Sequence, residues 1–179
     1  MILTSDAIRR SVASGEITIQ PFDEALLNPN SYNYRLGRYL KIPPVTPLDP
    51  LSSTEWLETE IPEDGVVLEP GRIYLGHTHE EIGSRTFVTS LIGRSSIGRL
   101  GLFLQISADL GHQGAIHSWT LELMAVQPIR VYAGMRIGQV SFWVATGQVR
   151  EYRGRYGSDL RPREYVRGSH GLLRVETAQ

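Results

Sequence analysis

The chain has 179 residues, an apolar fraction of 41% and a charged fraction of 21%, which suit one ordinary globular domain with a sizeable core. Its net charge of −1 argues against a general nucleic-acid-binding protein, and the absence of cysteine excludes disulfides, thiolate catalysis and cysteine-ligated zinc. We recognise no signal peptide and no apolar run of membrane-spanning length, so we expect a cytoplasmic protein without a membrane partner.

The N-terminal segment predicts one short helix. The residues Thr4-Ser5-Asp6 have N-cap chemistry, an apolar stripe at helical spacing follows, and Gly15 suits the helix end. The segment 42–57 is rich in Pro and Ser, and its path is not predicted. Elsewhere, short apolar segments separated by turns, without alternating helices, predict a mainly β fold of barrel or sandwich type. These segments are 17–19, 32–37, 66–68, 73–75, 87–92, 102–106, 119–126, 129–132 and 137–144.

The character of the chain changes near Arg150, where arginines begin to alternate with tyrosines. We therefore expect a β domain over residues 1–150 and a flexible lid or tail over residues 151–179. Such a segment could stack on a base and bind phosphate, or it could be a solvated terminus.

Residues 93–101 (GRSSIGRLG) concentrate two guanidinium groups, two hydroxyls and pliable backbone amides. Such groups suit a chain of phosphates. The alternative is a turn with an N-cap serine and two solvated arginines. The segment lacks the lysine of a Walker loop.

One carboxylate, Glu122, interrupts the apolar segment 119–126. Strand alternation predicts that Leu121 and Leu123 share one face, while Thr120, Glu122 and Met124 share the other. A Glu on a half-exposed strand is usually solvated. If Glu122 instead lines a closed cleft, desolvation would make it a useful general base.

The pair His77 and His79 has the spacing of two metal ligands on one strand. The acid and glycine expected after them in a cupin-type motif are misplaced, and no second half of the motif follows. We therefore predict exposed strand histidines and no metal site there.

Four segments carry a family resemblance: residues 28–37 (NPNSYNYRLG), 93–101, 120–123 (TLEL) and 134–139 (GMRIGQ). In order and spacing they resemble the dCTP deaminase branch of the dCTP deaminase/dUTPase superfamily, over nearly the whole chain. The resemblance implies a distorted antiparallel β-barrel of dUTPase-like or β-clip type, with a short N-terminal helix and a C-terminal lid tail. It also implies a homotrimer whose active sites lie between subunits.

The implied reaction is hydrolytic deamination of a cytosine deoxynucleotide, dCTP to dUTP plus ammonia. Mg²⁺ would be carried by the triphosphate, with no metal ligands from protein side chains and no catalytic zinc. The alternatives are a dUTP diphosphatase, a bifunctional enzyme, or a nucleotide-binding regulator without turnover.

The resemblance also assigns roles to residues. Glu122 would be the general base, Arg99 would position the attacking water, and Ser95 would lie near the reacting centre. Ala108 would contact the sugar or base. The residues assigned to the triphosphate and the lid are Arg94, Ser95, Ser96, Arg155 and Tyr156.

Two positions depart from the family pattern. His112 stands where the family usually has an Asp that contacts the sugar 3′-hydroxyl, and which in the dUTPase branch activates the hydrolytic water. The substitution therefore counts against a diphosphatase, although an imidazole can still bond a hydroxyl. Asp159 lies near the position of a base-contacting Gln and could accept a bond from the cytosine amino group.

Overall fold

The computed structural model describes residues 1–44, 47–105, 107–152, 154 and 159–165. Helix α1 spans Ser5–Ala13, where it was predicted, and buries Ile8 against the β-structure. A 3-10 helix spans Glu24–Leu26, and a short helix α2 spans Ser95–Gly98. No helix in these ranges has the length and apolar character needed to cross a bilayer.

The described ranges form fifteen strands, which account for most of the regular structure. They are β1 Ile17–Gln20, β2 Leu27–Asn28, β3 Ser31–Arg35, β4 Tyr39–Ile42, β5 Leu57–Glu60, β6 Val66–Leu68, β7 Ile73–His77, β8 Glu81–Ser84, β9 Val88–Gly93, β10 Leu102–Leu104, β11 Leu110–Gly111, β12 Ile116–His117, β13 Thr120–Ala125, β14 Ile129–Val131 and β15 Arg136–Trp143.

These strands pair antiparallel in four sheets that share one hydrophobic core. Two sheets have five strands, in the orders β10-β13-β7-β4-β5 and β11-β9-β15-β3-β2. A third has the order β1-β8-β12, and β14 pairs with β6. The predicted mainly β fold is confirmed, and the barrel is distorted rather than fully closed.

The sequence patterns did not reveal β2, β4, β5, β8, β11 and β12. Strand β5 reads Leu-Glu-Thr-Glu and is mostly exposed, so it lacks an alternating apolar face. Strands β11 and β12 have two residues each, which is too short for a periodic signal.

Residues 28–37 and 134–139, the first and last segments of the family resemblance, lie side by side in strands β2, β3 and β15. The Ser31 hydroxyl donates to Gln139 Oε1 (2.9 Å), and the Asn33 amide donates to Asn28 Oδ1 (3.0 Å). A Cβ at Gly138 would lie 2.0 Å from Cζ of Tyr34, whose ring is fully buried. Glycine at 138 therefore lets β15 approach β3 over that ring.

The fold also contains a buried ion pair. Glu80 is fully buried, its Oε1 lies 2.6 Å from Arg35 Nε, and its Oε2 accepts the Arg35 backbone N–H (2.9 Å). Both carboxylate oxygens are thereby bonded, which is what a buried charge requires.

Part of the predicted tail packs on the β-structure. Glu164 pairs with Lys41, and Arg161 Nη1 lies 2.7 Å from Glu58 Oε1. Pro162 between them is buried. Most of the predicted tail lies outside the described residues, so its flexibility stays a prediction.

Candidate active site

A cavity of about 540 Å³ lies beside β7 and β13. It contains three of the predicted site residues, Glu122, Ala108 and Asp159. Its remaining wall is largely apolar and aromatic, which lowers the local dielectric and strengthens polar interactions inside it. The apolar lining is formed by Leu48, Trp56, Ile73, Leu75 and Trp119.

Glu122 is half-buried and faces this cavity because of its place in β13. Leu121, Leu123 and Ala125 are buried in the core, whereas Thr120, Glu122 and Met124 are not. The predicted division of faces is confirmed. The carboxylate therefore stands on the outer face of β13, within the cavity wall, rather than in open solvent.

The backbone of Glu122 is anchored by a side chain. Strand β10 pairs with β13 up to Leu104↔Leu123, and at Gln105 the chain turns away with φ of 50°. The Gln105 side chain replaces the lost ladder bond, because its Oε1 accepts the Glu122 N–H (2.9 Å).

The same amide reaches a second site residue. Gln105 Nε2 donates to the carbonyl oxygen of Ala108 (3.2 Å), so one buried side chain ties Ala108 to Glu122. Our sequence reasoning missed this residue. The available signal was a lone amide in the apolar segment 102–106.

The cavity also contains His117, to which no role was assigned from the sequence. The side chain is 4% exposed, and its ring centroid lies 4.3 Å from that of Trp119. Its Nδ1 lies 3.0 Å from the carbonyl oxygen of Ser118. Burial lowers the pKa of His117, so the ring is neutral at pH 7.

The predicted phosphate-binding segment, residues 93–101, lies outside the Glu122 cavity. Ser95, Ser96 and Arg99 are exposed on and just after α2, and Arg94 is half-buried and donates to the Arg136 carbonyl (3.4 Å). None of these four residues lines the cavity of Glu122. Within one chain the structure does not bring the two parts of the predicted site together.

The remaining predicted site residues also lie in different places. His112 stacks on Tyr152 (5.4 Å between centroids) and lines a separate pocket of about 370 Å³. The Asp159 carboxylate accepts from Arg163 Nη1 (2.8 Å), so it is already paired. Arg155 and Tyr156 lie outside the described residues.

The histidine pair at the end of β7, His77 and His79, is only partly as expected. His79 is exposed, as predicted, but His77 is buried, and its Nε2 accepts the Tyr39 N–H (3.3 Å). Its ring also stacks on Tyr39, so His77 is a packing residue. The structure shows no cluster of three or more His, Asp or Glu side chains suited to a metal ion within the described ranges.

Comparison with known proteins identifies the family of this chain. A family model described as dCTP deaminase-like matches residues 2–145. The dUMP-forming dCTP deaminase of Leptospira biflexa is 45% identical over 157 residues, which cover 87% of this chain and 90% of that protein. A dCTP deaminase of Rhodopirellula baltica is 42% identical over 82% of this chain and 74% of its own length.

The fold agrees with a solved structure. The crystal structure of 2′-deoxycytidine 5′-triphosphate deaminase from Agrobacterium tumefaciens aligns with a TM-score of 0.64 and 25% identity over 80% of this chain. The aligned part is 48% of that longer chain. With its sequence matched over most of its length and its β-structure shared, the chain belongs to the dCTP deaminase-like family.

Proposed function

We propose that this chain is a hydrolase that deaminates dCTP, with Glu122 as the general base. The observation that carries the proposal is the half-buried carboxylate of Glu122 in the cavity wall of a dCTP deaminase-like chain. The relatives named above are dCTP deaminases over most of this chain's length, which supports the same substrate here.

The chemistry needs a proton acceptor and then a donor. Water attacks C4 of cytosine, the C4–O bond forms, the electron pair of the C4=N3 double bond moves to N3, and Glu122 passes one proton of the water to N3. Glu122 then moves the second proton from the new hydroxyl to the amino group, so that C4=O forms, the C4–N bond breaks and ammonia leaves. One carboxylate can perform both transfers, and this contributes roughly 10²–10⁴-fold to the rate.

We further propose that dUMP is the final product. The dUMP-forming name of the Leptospira biflexa relative favours this outcome over the dUTP expected from the sequence. In the second step, water attacks the α-phosphorus, the Pα–O bond to the β-phosphate breaks, and pyrophosphate leaves. His112 was expected to count against pyrophosphate release, whereas the name of this relative counts in its favour. The name of the Rhodopirellula baltica relative, dCTP deaminase, leaves release of dUTP as the alternative.

The triphosphate would bind Arg94, Ser95 and Ser96, and Arg99 would orient the attacking water. Arg155 and Tyr156 would close the site. Mg²⁺ bound to the phosphates would neutralise part of their charge, and the protein would supply no metal ligand. The cytoplasmic location expected from the sequence stays a prediction.

We also propose that the site forms between the subunits of a homotrimer. The separation of Arg94 from the Glu122 cavity within one chain supports this arrangement. A neighbouring copy would bring the second half of each site. The exposed pair Phe103 and Met124, adjacent across β10 and β13, offers apolar surface on the face that bears Glu122.

Product analysis tests the reaction. Purified protein is incubated with Mg²⁺ and either dCTP or dUTP, and the nucleotides are separated by chromatography. Conversion of dCTP to dUMP supports the full proposal, and accumulation of dUTP supports deamination alone. Glu122→Gln should bind dCTP without turnover, whereas the exposed Glu69→Gln should behave as wild type. Wild-type turnover by Glu122→Gln would refute the assigned base.

Subunit mixing tests the shared site. Arg94→Ala and Glu122→Gln should each be inactive, but their co-expression in equal amounts should restore about one quarter of wild-type activity. The reason is that about one site in four then combines two intact halves. No restoration in verified mixed oligomers would mean that both residues act within one chain.

A further inference from the structure

One ring nitrogen of a residue that lines the cavity is unsatisfied. Nε2 of His117 is buried and has no hydrogen-bond partner in the described part of the chain. Most buried polar atoms in proteins are bonded, because leaving one unpaired destabilises the folded chain. An unpaired ring nitrogen at a ligand cavity therefore requires a physical reason.

The hydrogen bonds of the ring define what this nitrogen can do. A carbonyl oxygen accepts only, so the contact of Nδ1 with Ser118 places the proton on Nδ1. Because the ring is neutral, Nε2 carries a lone pair and no hydrogen. It can accept a hydrogen bond but cannot donate one.

Several polar side chains that line the same cavity are acceptors or already donate within the protein. Glu122 and Asp159 carry carboxylates, Arg163 Nη1 donates to Asp159, and Gln105 Nε2 donates to the Ala108 carbonyl. A buried acceptor such as Nε2 complements a ligand group that donates, and it opposes a carbonyl oxygen in the same place.

We propose that Nε2 of His117 accepts a hydrogen bond from an N–H or O–H group of the bound nucleotide, and so selects the ligand. This inference rests on the proposed function of the same cavity. A cytosine deoxynucleotide carries two such donors, the exocyclic amino group and the 3′-hydroxyl. Since Nε2 is buried beside Trp119, the donor group of the nucleotide must penetrate the cavity wall to reach it.

The experiment measures affinities in a Glu122→Gln background, so that turnover does not consume the ligand. Three nucleotides are titrated with Mg²⁺ by calorimetry: dCTP, 2′,3′-dideoxy-CTP and dUTP. Failure of all three to bind would count against the proposed function. Binding of dCTP retains that function and lets the role of His117 be tested separately.

Two variants separate the acceptor from the ring shape. His117→Phe keeps a ring against Trp119 but has no acceptor, whereas His117→Gln restores an acceptor near the same place. Both are checked for folding by thermal melting.

We expect His117→Phe to weaken dCTP binding about tenfold, with partial recovery in His117→Gln. Equal weakening for dCTP and dideoxy-CTP, with dUTP spared, identifies the amino group. Weakening for dCTP and dUTP, with dideoxy-CTP spared, identifies the hydroxyl. Unchanged affinities, or equal losses for all three ligands, would overturn the proposal.

A measurement without substitution at His117 keeps the test decisive if those variants fail to fold. The protein is labelled with ¹⁵N-histidine, and the side-chain nitrogens are observed during titration with dCTP. The Nε2 resonance of His117 should move as it accepts a bond, while Nδ1 stays close to its position. An unchanged Nε2 resonance at saturation would refute the proposal.

Discussion

The amide of Gln105 is expected to hold Glu122, the proposed general base, in position, and its removal is the sharpest test of the site geometry. Gln105 is 9% exposed, and its side chain bonds the Glu122 N–H and the Ala108 carbonyl. Gln105→Ala removes both bonds. The carbonyl of the exposed Ala108 can bond water instead, whereas the N–H of the half-buried Glu122 loses its partner, so we expect a loss of about 1–3 kcal/mol in the free energy of unfolding.

Catalysis should suffer as well. A shift of β13 by a fraction of an ångström moves the Glu122 carboxylate relative to the substrate, and misplacement of this kind costs up to about 10²-fold in rate. We expect kcat to fall about 10- to 100-fold, while KM changes by less than about threefold. Urea unfolding at equilibrium and steady-state deamination measure the two effects.

Gln127 provides a matched control. It is an exposed glutamine whose amide donates to the Leu100 carbonyl (3.0 Å), so Gln127→Ala should cost less than about 1 kcal/mol. Gln105→Gly adds a second check. It loses the same two bonds but relieves the strained backbone at φ of 50°, so it should be at least as stable as Gln105→Ala. If Gln105→Ala retains wild-type stability and kcat, the amide does not position Glu122.

Three further predictions concern stability. Gly138→Ala should cost about 1–3 kcal/mol in urea unfolding, because its Cβ would lie 2.0 Å from the Tyr34 ring; an unchanged midpoint would refute this contact. Glu80→Ala should cost about 3–5 kcal/mol by breaking a fully buried pair, whereas Glu60→Ala at an exposed pair should cost less than about 1 kcal/mol; similar losses would contradict the assigned burial. Burial lowers the pKa of His117. Below about pH 6.5 the unfolded chain therefore binds more protons than the folded chain, and the free energy of unfolding decreases as the pH is lowered. Thermal melting from about pH 8 to about pH 5 should show this fall, and a fall of equal size in His117→Gln would exclude the assigned group.

Local patterns were sufficient for the fold class and for the orientation of Glu122. Strand alternation depends on neighbours two residues apart, so the buried positions of Leu121 and Leu123 place Glu122 on the opposite face without any tertiary information. Short apolar segments broken by turns likewise indicated a mainly β fold. The pattern failed at β5 and at the two-residue strands, where pairing with a neighbour defines the element and composition does not.

The site required the tertiary structure, since its parts are joined by contacts between residues far apart in the chain. The sequence indicated the carboxylate of Glu122 and the cluster 93–101. It could not indicate that Gln105 leaves its strand and bonds the backbone of Glu122, because that bond depends on the register of β10 against β13. Nor could it distinguish the buried, unpaired His117 from the exposed His79, since burial is decided by what packs on a side chain and not by its neighbours in sequence.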